Sequence, residues 1–306
     1  DPMQVYDIGI DKENRETTRH GAYDFPIAAY RTQLSKNVLG YVNWHWHEEL
    51  QFMVVLEGSI QVSVNRSRII LNKGEGLFIN GNVLHTIRPE KDPESTYLCL
   101  DVHPSLIGGY PGSRIDKKYL RPYLNDPKFT ACRLDPAYEN EQEIIRLLLK
   151  IGEDYTKRTG SYELSIETAL LRVWERLIRN QPGAAAFTEP LTDSDSERLK
   201  ALMTEIHNHY QEKICLKNLA DAVHLSDSEC CRFFKSQMNC TIFEYLNTFR
   251  IEKSIEDLLH TEKAVSRIAY DCGFGSTSYY IERFRKKTGI TPGKYRKRAI
   301  DLPVSD

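Results

Sequence analysis

Residues 42–52 read VNWHWHEELQF and place two histidines one residue apart, beside two glutamates. A His-x-His pair in an extended chain turns both imidazoles to one side, which is a common start for a divalent-metal site. The same pair could line a polar ligand pocket or belong to a packed strand. In a continuous strand, positions 45, 47, 49 and 51 face one way and 44, 46, 48 and 50 the other. His45, His47 and Gln51 would then share an environment, and Trp44 and Trp46 would pack behind them. A metal would need at least one more imidazole from elsewhere in the chain. Three neutral imidazoles would suffice for Zn²⁺, Ni²⁺ or Fe²⁺ and would leave a fourth position open.

The elements that carry these side chains can be read from patterning. Residues 22–102 alternate apolar and polar positions in runs such as LQFMVVLEG, SIQVSV and STYLCLDV, broken by turn residues at Glu57-Gly58, Asn72-Lys73-Gly74 and Asn80-Gly81-Asn82. Many short strands at close spacing predict a sandwich or small barrel. Over 136–180 the period becomes helical, with Ile144, Ile145, Leu148 and Ile151, then Ile166, Leu170, Val173, Trp174 and Leu177. Thr159-Gly160-Ser161 separates the two runs, with Gly160 expected to end one helix and Ser161 to cap the next. This hairpin over 135–180 would cover the sheet or build a dimer. Residues 181–194, rich in small residues and proline, read as a linker, and from 195 the pattern is almost wholly helical.

Bulk properties agree with a two-domain globular chain: 306 residues, 41% hydrophobic and 27% charged. No secretory leader or membrane-spanning run is expected, and seven cysteines without CxxC spacing suit a reducing cytoplasm. Net charge is −2, yet residues 283–298 (RFRKKTGITPGKYRKR) hold eight bases and no acid, a stripe suited to a polyanion or to a solvated helix face.

The last hundred residues contain a repeat. LADAVHLSDSECCRFFKSQMNCTIFEY (219–245) aligns with IAYDCGFGSTSYYIERFRKKTGITPGKY (268–295), pairing Leu225 with Phe274, Phe234 with Phe284 and Tyr245 with Tyr295. Each copy reads as helix, tight turn, helix. In the second, Gly273 is placed to take the left-handed conformation, Phe274 to plug the joint and Ser276 to cap the following helix. That helix buries Tyr280 and Phe284 and presents Thr277, Ser278, Ile281, Glu282 and Arg285 on its opposite face. In the first copy Cys230 and Phe234 are buried, and Ser228, Cys231, Arg232 and Lys235 remain outside.

The stretch AVSRIAYDCGFGSTSYYIERFRKKTGITPGKYR resembles the signature of the AraC/XylS family of transcription regulators. Its Ile-Ala, Gly-Phe, Ser-Tyr-Tyr, Arg-Phe, Gly-Ile-Thr-Pro and Tyr-Arg elements run in order from Ile268 to Arg296. The resemblance covers about 195–298 and implies two helix-turn-helix units joined by a long helix, here 241–260, within a seven-helix domain that binds double-stranded DNA. Base-reading positions would be Ser228, Cys231 and Arg232, then Thr277, Ser278, Ile281 and Glu282. A guanidinium such as that of Arg232 can bond guanine O6 and N7 together. Glu282 could accept from a cytosine amino group or pair with a neighbouring arginine. Lys235, Arg285 and Lys286 would contact phosphates.

Residues 1–134 resemble the cupin barrel, a sensor domain found in that family, through His45-x-His47, Gln51 and His85. In metal-binding cupins the resemblance implies two histidines, a glutamate and a third histidine, so here a neutral Gln51 stands where the carboxylate would be. The expected protein is multidomain, with a cupin-like β-barrel and helical hairpin followed by an all-α DNA-binding domain and a 299–306 tail. Its expected function is regulation of transcription, more often activation, in response to a small polar metabolite such as a sugar held by His45, His47, Gln51 and His85. Homodimerisation and contact with RNA polymerase follow from the same resemblance. No cofactor is required by this reading. A metal-responsive regulator using His45, His47 and His85, or a metal-dependent cupin enzyme fused to a DNA-binding domain, are the alternatives.

Overall fold

The alternation in LQFMVVLE gives a strand two different apolar faces, and both are buried in the computed structural model, which describes residues 3–5, 7–11, 15–18, 20–65, 67–179, 193–238 and 240–300. Among the described residues nine strands form: β1 (Ile27–Gln33), β2 (Val42–His45), β3 (Leu50–Glu57), β4 (Ser59–Val64), β5 (Ser67–Asn72), β6 (Gly76–Ile79), β7 (His85–Pro89), β8 (Thr96–Val102) and β9 (Ala131–Leu134). They make two antiparallel sheets, one ordered β1-β8-β3-β6-β9 and the other β2-β7-β4-β5. The expected barrel therefore takes the form of two facing sheets that are not joined into one ring. The edge strand β9, four residues long, lies outside the predicted β-rich stretch. It is too short to show a period in sequence.

Pleat geometry sorts the side chains. Met53, Val55, Leu77, Ile79, Tyr97 and Cys99 of the larger sheet pack against Val42, Ile60, Val62, Val64 and Ile87 of the smaller one. Leu50, Phe52, Val54, Phe78, Leu98, Leu100 and Val102 point the other way. That outer face is covered by helices. Two short ones, α1 (Ser105–Gly108) and α2 (Arg121–Leu124), precede α3 (Glu139–Lys157) and α4 (Tyr162–Arg179). Ile144, Leu148 and Ile151 of α3 and Ile166, Leu170, Val173 and Trp174 of α4 join this outer core. Each such side chain contributes about 1.5–3 kcal/mol on burial, so covering the sheet accounts for the predicted apolar stripes. The end of α3 departs from expectation: Arg158, at φ 48°, takes the left-handed position and its N–H bonds the Asp154 carbonyl, two residues before Gly160.

The chain divides into units spanning 1–191 and 192–306. The second holds seven helices among the described residues: α5 (Asp193–His209), α6 (Leu216–Ala222), α7 (Asp227–Met238), α8 (Ile242–His260), α9 (Val265–Asp271), α10 (Thr277–Thr288) and α11 (Pro292–Ile300). Most of the predicted linker lies outside the described residues, though α5 begins two residues before the expected 195. Of the predicted tail, 299 and 300 belong to α11, and 301–306 lie outside the described residues. The long helix α8 starts as expected, on a capping box in which Thr241 and Glu244 satisfy each other's backbone N–H groups.

The repeat is visible in the turns. Leu225 N–H bonds the Ala220 carbonyl at 3.0 Å, and Phe274 N–H bonds the Ala269 carbonyl at 2.9 Å. The left-handed residue between helices is His224 (φ 55°) in the first copy and Gly273 (φ 81°) in the second. A Cβ on Gly273 would lie 2.5 Å from the Tyr210 carbonyl oxygen, so this turn needs glycine for space as well as for conformation. Gly273→Ala is expected to destabilise the helical unit by at least about 1–2 kcal/mol, the cost of left-handed backbone alone. Thermal unfolding followed by circular dichroism checks it; an unchanged midpoint would mean that the Tyr210 backbone yields freely.

Candidate functional site

Three buried imidazoles meet inside the β-rich unit. His45 ends β2, His85 begins β7, and the two are directly opposed in the sheet with ring centroids 4.2 Å apart. His47 follows two residues later, 5.3 Å from the His85 ring. One nitrogen from each of the three lies within 4.8 Å of the others. Residue exposures are 2% for His45, 4% for His47 and 1% for His85.

The tautomers follow from the hydrogen bonds. Nδ1 of His45 faces the Asn43 carbonyl at 2.7 Å, Nδ1 of His47 the Glu49 carbonyl at 3.1 Å, and Nδ1 of His85 the Val83 carbonyl at 2.8 Å. A carbonyl only accepts, so each Nδ1 carries the proton and each Nε2 keeps its lone pair. Among the described residues, Nε2 of His47 and of His85 has no hydrogen-bond partner. Burial holds all three rings neutral. It lowers His45 well below the ordinary histidine value, with repulsion from His85 and His47 adding to it. Burial, then the neighbouring His85 and His20, does the same to His47, and burial takes His85 to about 4. Neutral imidazoles with Nδ1–H fixed by carbonyls and Nε2 converging are the arrangement in which histidines ligate metal ions.

The way the chain brings them together differs from strand parity. β2 carries an irregularity between Val42 and His45, and both residues face the interior. The chain then bends at Glu48-Glu49 and enters the other sheet. His45 and Gln51 line one cavity because the sheets face each other across it. Gln51 turns its amide to the Cys99 sulfur at 2.9 Å, and its Oε1 has no hydrogen-bond partner among the described residues. Trp44 is buried, as expected. Trp46 instead anchors the N-terminal segment: its carbonyl accepts from Glu16 N–H at 2.8 Å, and the Arg15 guanidinium lies over its ring.

Four residues that sequence reasoning missed complete the site: Glu16, His20, Cys99 and Asp101. Glu16 Oε2 lies 3.3 Å from His20 Nε2 and 3.8 Å from His45 Nε2. Asp101, paired in register with Gln51, lies 3.4 Å from His20 Nδ1 and 3.9 Å from His47 Nε2. Burial pulls His20 down, but Asp101 and Glu16 outweigh it and raise its pKa to about 9. Burial raises Asp101 to about 7 against the opposing pull of His20. His20 is thus a buried cation held between two acids. Only Asp101 carried a signal, an acid within the apolar run YLCLDV; Glu16 and His20 lie in a segment without periodicity. The cavity beside them, of about 310 Å³, is lined by Glu16, His20, Tyr30, Thr32, His45, Gln51, Tyr97 and Asp101 among others. Its donors and acceptors suit a small polar molecule.

In the helical unit, the side chains predicted to read DNA are outside. Ser228, Cys231, Arg232 and Lys235 on α7 are exposed, and Cys230 and Phe234 of the same helix are fully buried. On α10, Ser276 caps the helix by accepting from Tyr279 N–H, Tyr280 and Phe284 are buried, and Ser278, Glu282, Arg285 and Lys286 are exposed. Thr277 and Ile281 are half-buried on the same helix. One base of the predicted stripe is structural, since Arg296 donates to the Leu258 and Lys263 carbonyls at 3.2 and 2.7 Å.

A polar cavity between two sheets, followed by paired helix-turn-helix units with solvent-facing second helices, defines a ligand-binding transcription regulator. Residues 37–206 match the AraC-like ligand binding domain and residues 219–298 a helix-turn-helix domain, and the chain belongs to the AraC family of regulators. The HTH-type transcriptional regulator YdeC of Bacillus subtilis is 34% identical over 288 residues, covering 94% of this chain and 97% of YdeC. The HTH-type transcriptional activator RhaR of Mannheimia succiniciproducens is 26% identical over 249 residues, covering 76% and 84%. Among solved structures, ToxT from Vibrio cholerae O395 aligns over 90% of this chain and 98% of its own at 14% identity, with a TM-score of 0.43. The fused-enzyme alternative is set aside, because both family matches and both relatives are those of a regulator.

Asn80 fixes the turn that leads to His85. Its amide donates to the carbonyls of Phe129 at 2.8 Å and Tyr123 at 3.0 Å, and its Oδ1 accepts from Gly81 N–H. Asn80→Ala removes these three hydrogen bonds at a cost of about 1–3 kcal/mol. The expected drop in the melting temperature of the β-rich unit is roughly 2–4 °C per kcal/mol, read by differential scanning calorimetry.

Proposed function

We propose that this protein activates transcription when a small polar metabolite, with sugars as the leading class, occupies the cavity between its two sheets. The observation that carries the reading is the pairing in one chain of a half-open cavity with His20, His45, Gln51 and Asp101 in its wall with two helices, α7 and α10, that bury one face and expose the other. RhaR, named as an activator, supports the sign of regulation. Of the expected pocket set, His45 and Gln51 line this cavity with His20, Glu16 and Asp101; His47 and His85 are not in its lining but adjoin His45 and belong to the same proposed effector site. Ser228, Cys231, Arg232, Thr277, Ser278, Ile281 and Glu282 are the base-reading set, and Lys235, Arg285 and Lys286 contact phosphates.

An exposed helix face about 10–12 Å across fits the major groove, where each base pair presents its own donor and acceptor pattern. Two such helices read two successive segments of one operator half-site. The protein acts in the cytoplasm as a homodimer, a reading supported by exposed Leu149, Leu164 and Leu171 on the helical hairpin, and it contacts RNA polymerase as an activator. The effector works by binding unequally to two states of the chain. A coupling of about 1–3 kcal/mol changes DNA affinity by roughly 5–150-fold.

The test is a salt-controlled binding assay on DNA upstream of the protein's own and neighbouring genes. Arg232→Ala is expected to cost about 1–3 kcal/mol and to relax preference at one base pair. Arg285→Ala should weaken all sequences alike and flatten the salt slope by about one unit. Specific binding left intact by both substitutions would show that α7 and α10 do not read the operator. For the sensing half, thermal-shift screening of polar metabolites should give hits that also move DNA affinity. Binders that stabilise the protein without moving DNA affinity would leave the cavity without a regulatory role.

A further inference from the structure

His45, His47 and His85 bring three imidazoles and Gln51 a neutral amide; the Glu49 carboxylate lies 3.6 Å from the protonated Nδ1 of His47, and the carboxylate nearest an Nε2 comes from another part of the chain. Glu16 is held in the N-terminal segment by backbone: its N–H donates to the Trp46 carbonyl at 2.8 Å, and the next residue, Thr17, donates to Gly9 at 2.8 Å. Arg15 locks the same turn by pairing with Glu48 at 2.6 Å and lying over the Trp46 ring. These anchors deliver the Glu16 carboxylate, 4% exposed, to 3.8 Å from His45 Nε2.

We propose that His45, His47, His85 and Glu16 form a binding site for a divalent transition-metal ion, with three Nε2 atoms from the sheet unit and the anionic oxygen supplied by the N-terminal segment. The proposal takes from the preceding reading only that this cavity is the effector site. Ligands about 2.1 Å from a tetrahedral ion are roughly 3.4 Å apart. The three histidines lie within 4.8 Å of one another, and Glu16, 3.8 Å from His45 Nε2 but outside that group of three, swings toward the ion as it binds. Two Nε2 lone pairs, on His47 and His85, are buried with no hydrogen-bond partner among the described residues, and one cation satisfies both at once. An N₃O donor set selects Zn²⁺, Co²⁺, Ni²⁺ or Fe²⁺ over Mg²⁺ or Ca²⁺.

Asp101 is the competing acid, and its surroundings direct it elsewhere. Oδ2 faces His20 at 3.4 Å and Oδ1 accepts from the Cys99 thiol at 3.6 Å, while His47 Nε2 is 3.9 Å away. Glu16 uses one oxygen toward both His20 and His45. His20 accordingly positions the carboxylate that binds the ion. Because the acid comes from residues 15–18 and the imidazoles from β2 and β7, the ion clips the N-terminal segment to the sheet.

The experiment uses the full chain without a histidine tag, stripped with chelator and titrated with Co²⁺, followed by visible absorption and calorimetry. One equivalent with the absorption of a four-coordinate ion is expected. His85→Ala should abolish it, Glu16→Gln should weaken it by about 10–100-fold or more, Glu16→Asp should recover part of the loss, and Asp101→Asn should weaken it less than Glu16→Gln does. Hydrogen exchange at residues 15–18 should slow on adding metal in the natural protein and not in Glu16→Gln. Circular dichroism checks folding, and if His85→Ala does not fold, the isosteric Glu16→Gln still decides. Absence of saturable binding overturns the site. Glu16→Gln binding as tightly as the natural protein, or Asp101→Asn taking the loss instead, overturns the assignment of Glu16. DNA affinity measured on the same samples keeps the two proposals apart, since DNA binding that survives a failed metal titration leaves the regulator reading in place.

Discussion

The five-stranded sheet has no face left for solvent, and the arrangement of the β-rich unit follows from that constraint. Its outer side chains are covered by the α3–α4 hairpin and its inner ones by the smaller sheet. A sheet buried on both faces must be apolar on both, except where polar groups find partners inside. Those exceptions, Gln51 on β3 and Asp101 on β8, are register partners on the inner face. They interrupt an inner face that is otherwise mainly apolar and create the polar cavity. The smaller sheet answers with His45 and His85, themselves opposed. The site therefore sits where two pairs of cross-strand neighbours meet across the interior.

Electrostatics at this place have an internal logic. Three imidazoles are too deeply buried and too close to one another to take a second proton, so each stays neutral and offers a lone pair. The fourth, His20, is buried as well but stands between two carboxylates, which make it the cation of the group. Burial acts on all four histidines in the same direction; neighbours of opposite charge decide the outcome for one of them. The helical unit shows the complementary principle, in which spacing alone decides exposure. Tyr280 and Phe284 lie one turn apart and face inward, so Glu282 and Arg285 face outward.

How much was legible in sequence depended on the range of the interactions. The duplicated turn, the Ser276 cap, the Thr241–Glu244 box and the burial of Cys230, Phe234, Tyr280 and Phe284 are set within a few residues, and each could be read in place. The apolar stripes of α3 and α4 were equally plain, although the exact stop at Arg158 was not, because either of two nearby residues could adopt the left-handed conformation. His45 and Gln51 line one cavity, but strand parity is not what joins them. Residues 42–52 are not one continuous strand: an irregularity in β2 turns His45 inward, and the bend at Glu48-Glu49 carries the chain to the second sheet. The contribution of Glu16 was beyond such reasoning, since a backbone bond from an irregular N-terminal segment to the Trp46 carbonyl places it.

By itself the sequence determined that this chain carries two helix-turn-helix units, which residues they expose, and that a His-x-His pair lies in a β-rich domain. Those are consequences of local periodicity, capping and turn stereochemistry, which act over about one helical turn or one strand. Only the tertiary structure decided that one nitrogen of each of His45, His47 and His85 lies within 4.8 Å of the others, and that two acids and a charged fourth histidine stand beside them. Residues 16, 20, 45, 85 and 101 meet because two sheets and an N-terminal segment pack around one interior. Packing at that distance along the chain leaves no periodic trace in the sequence.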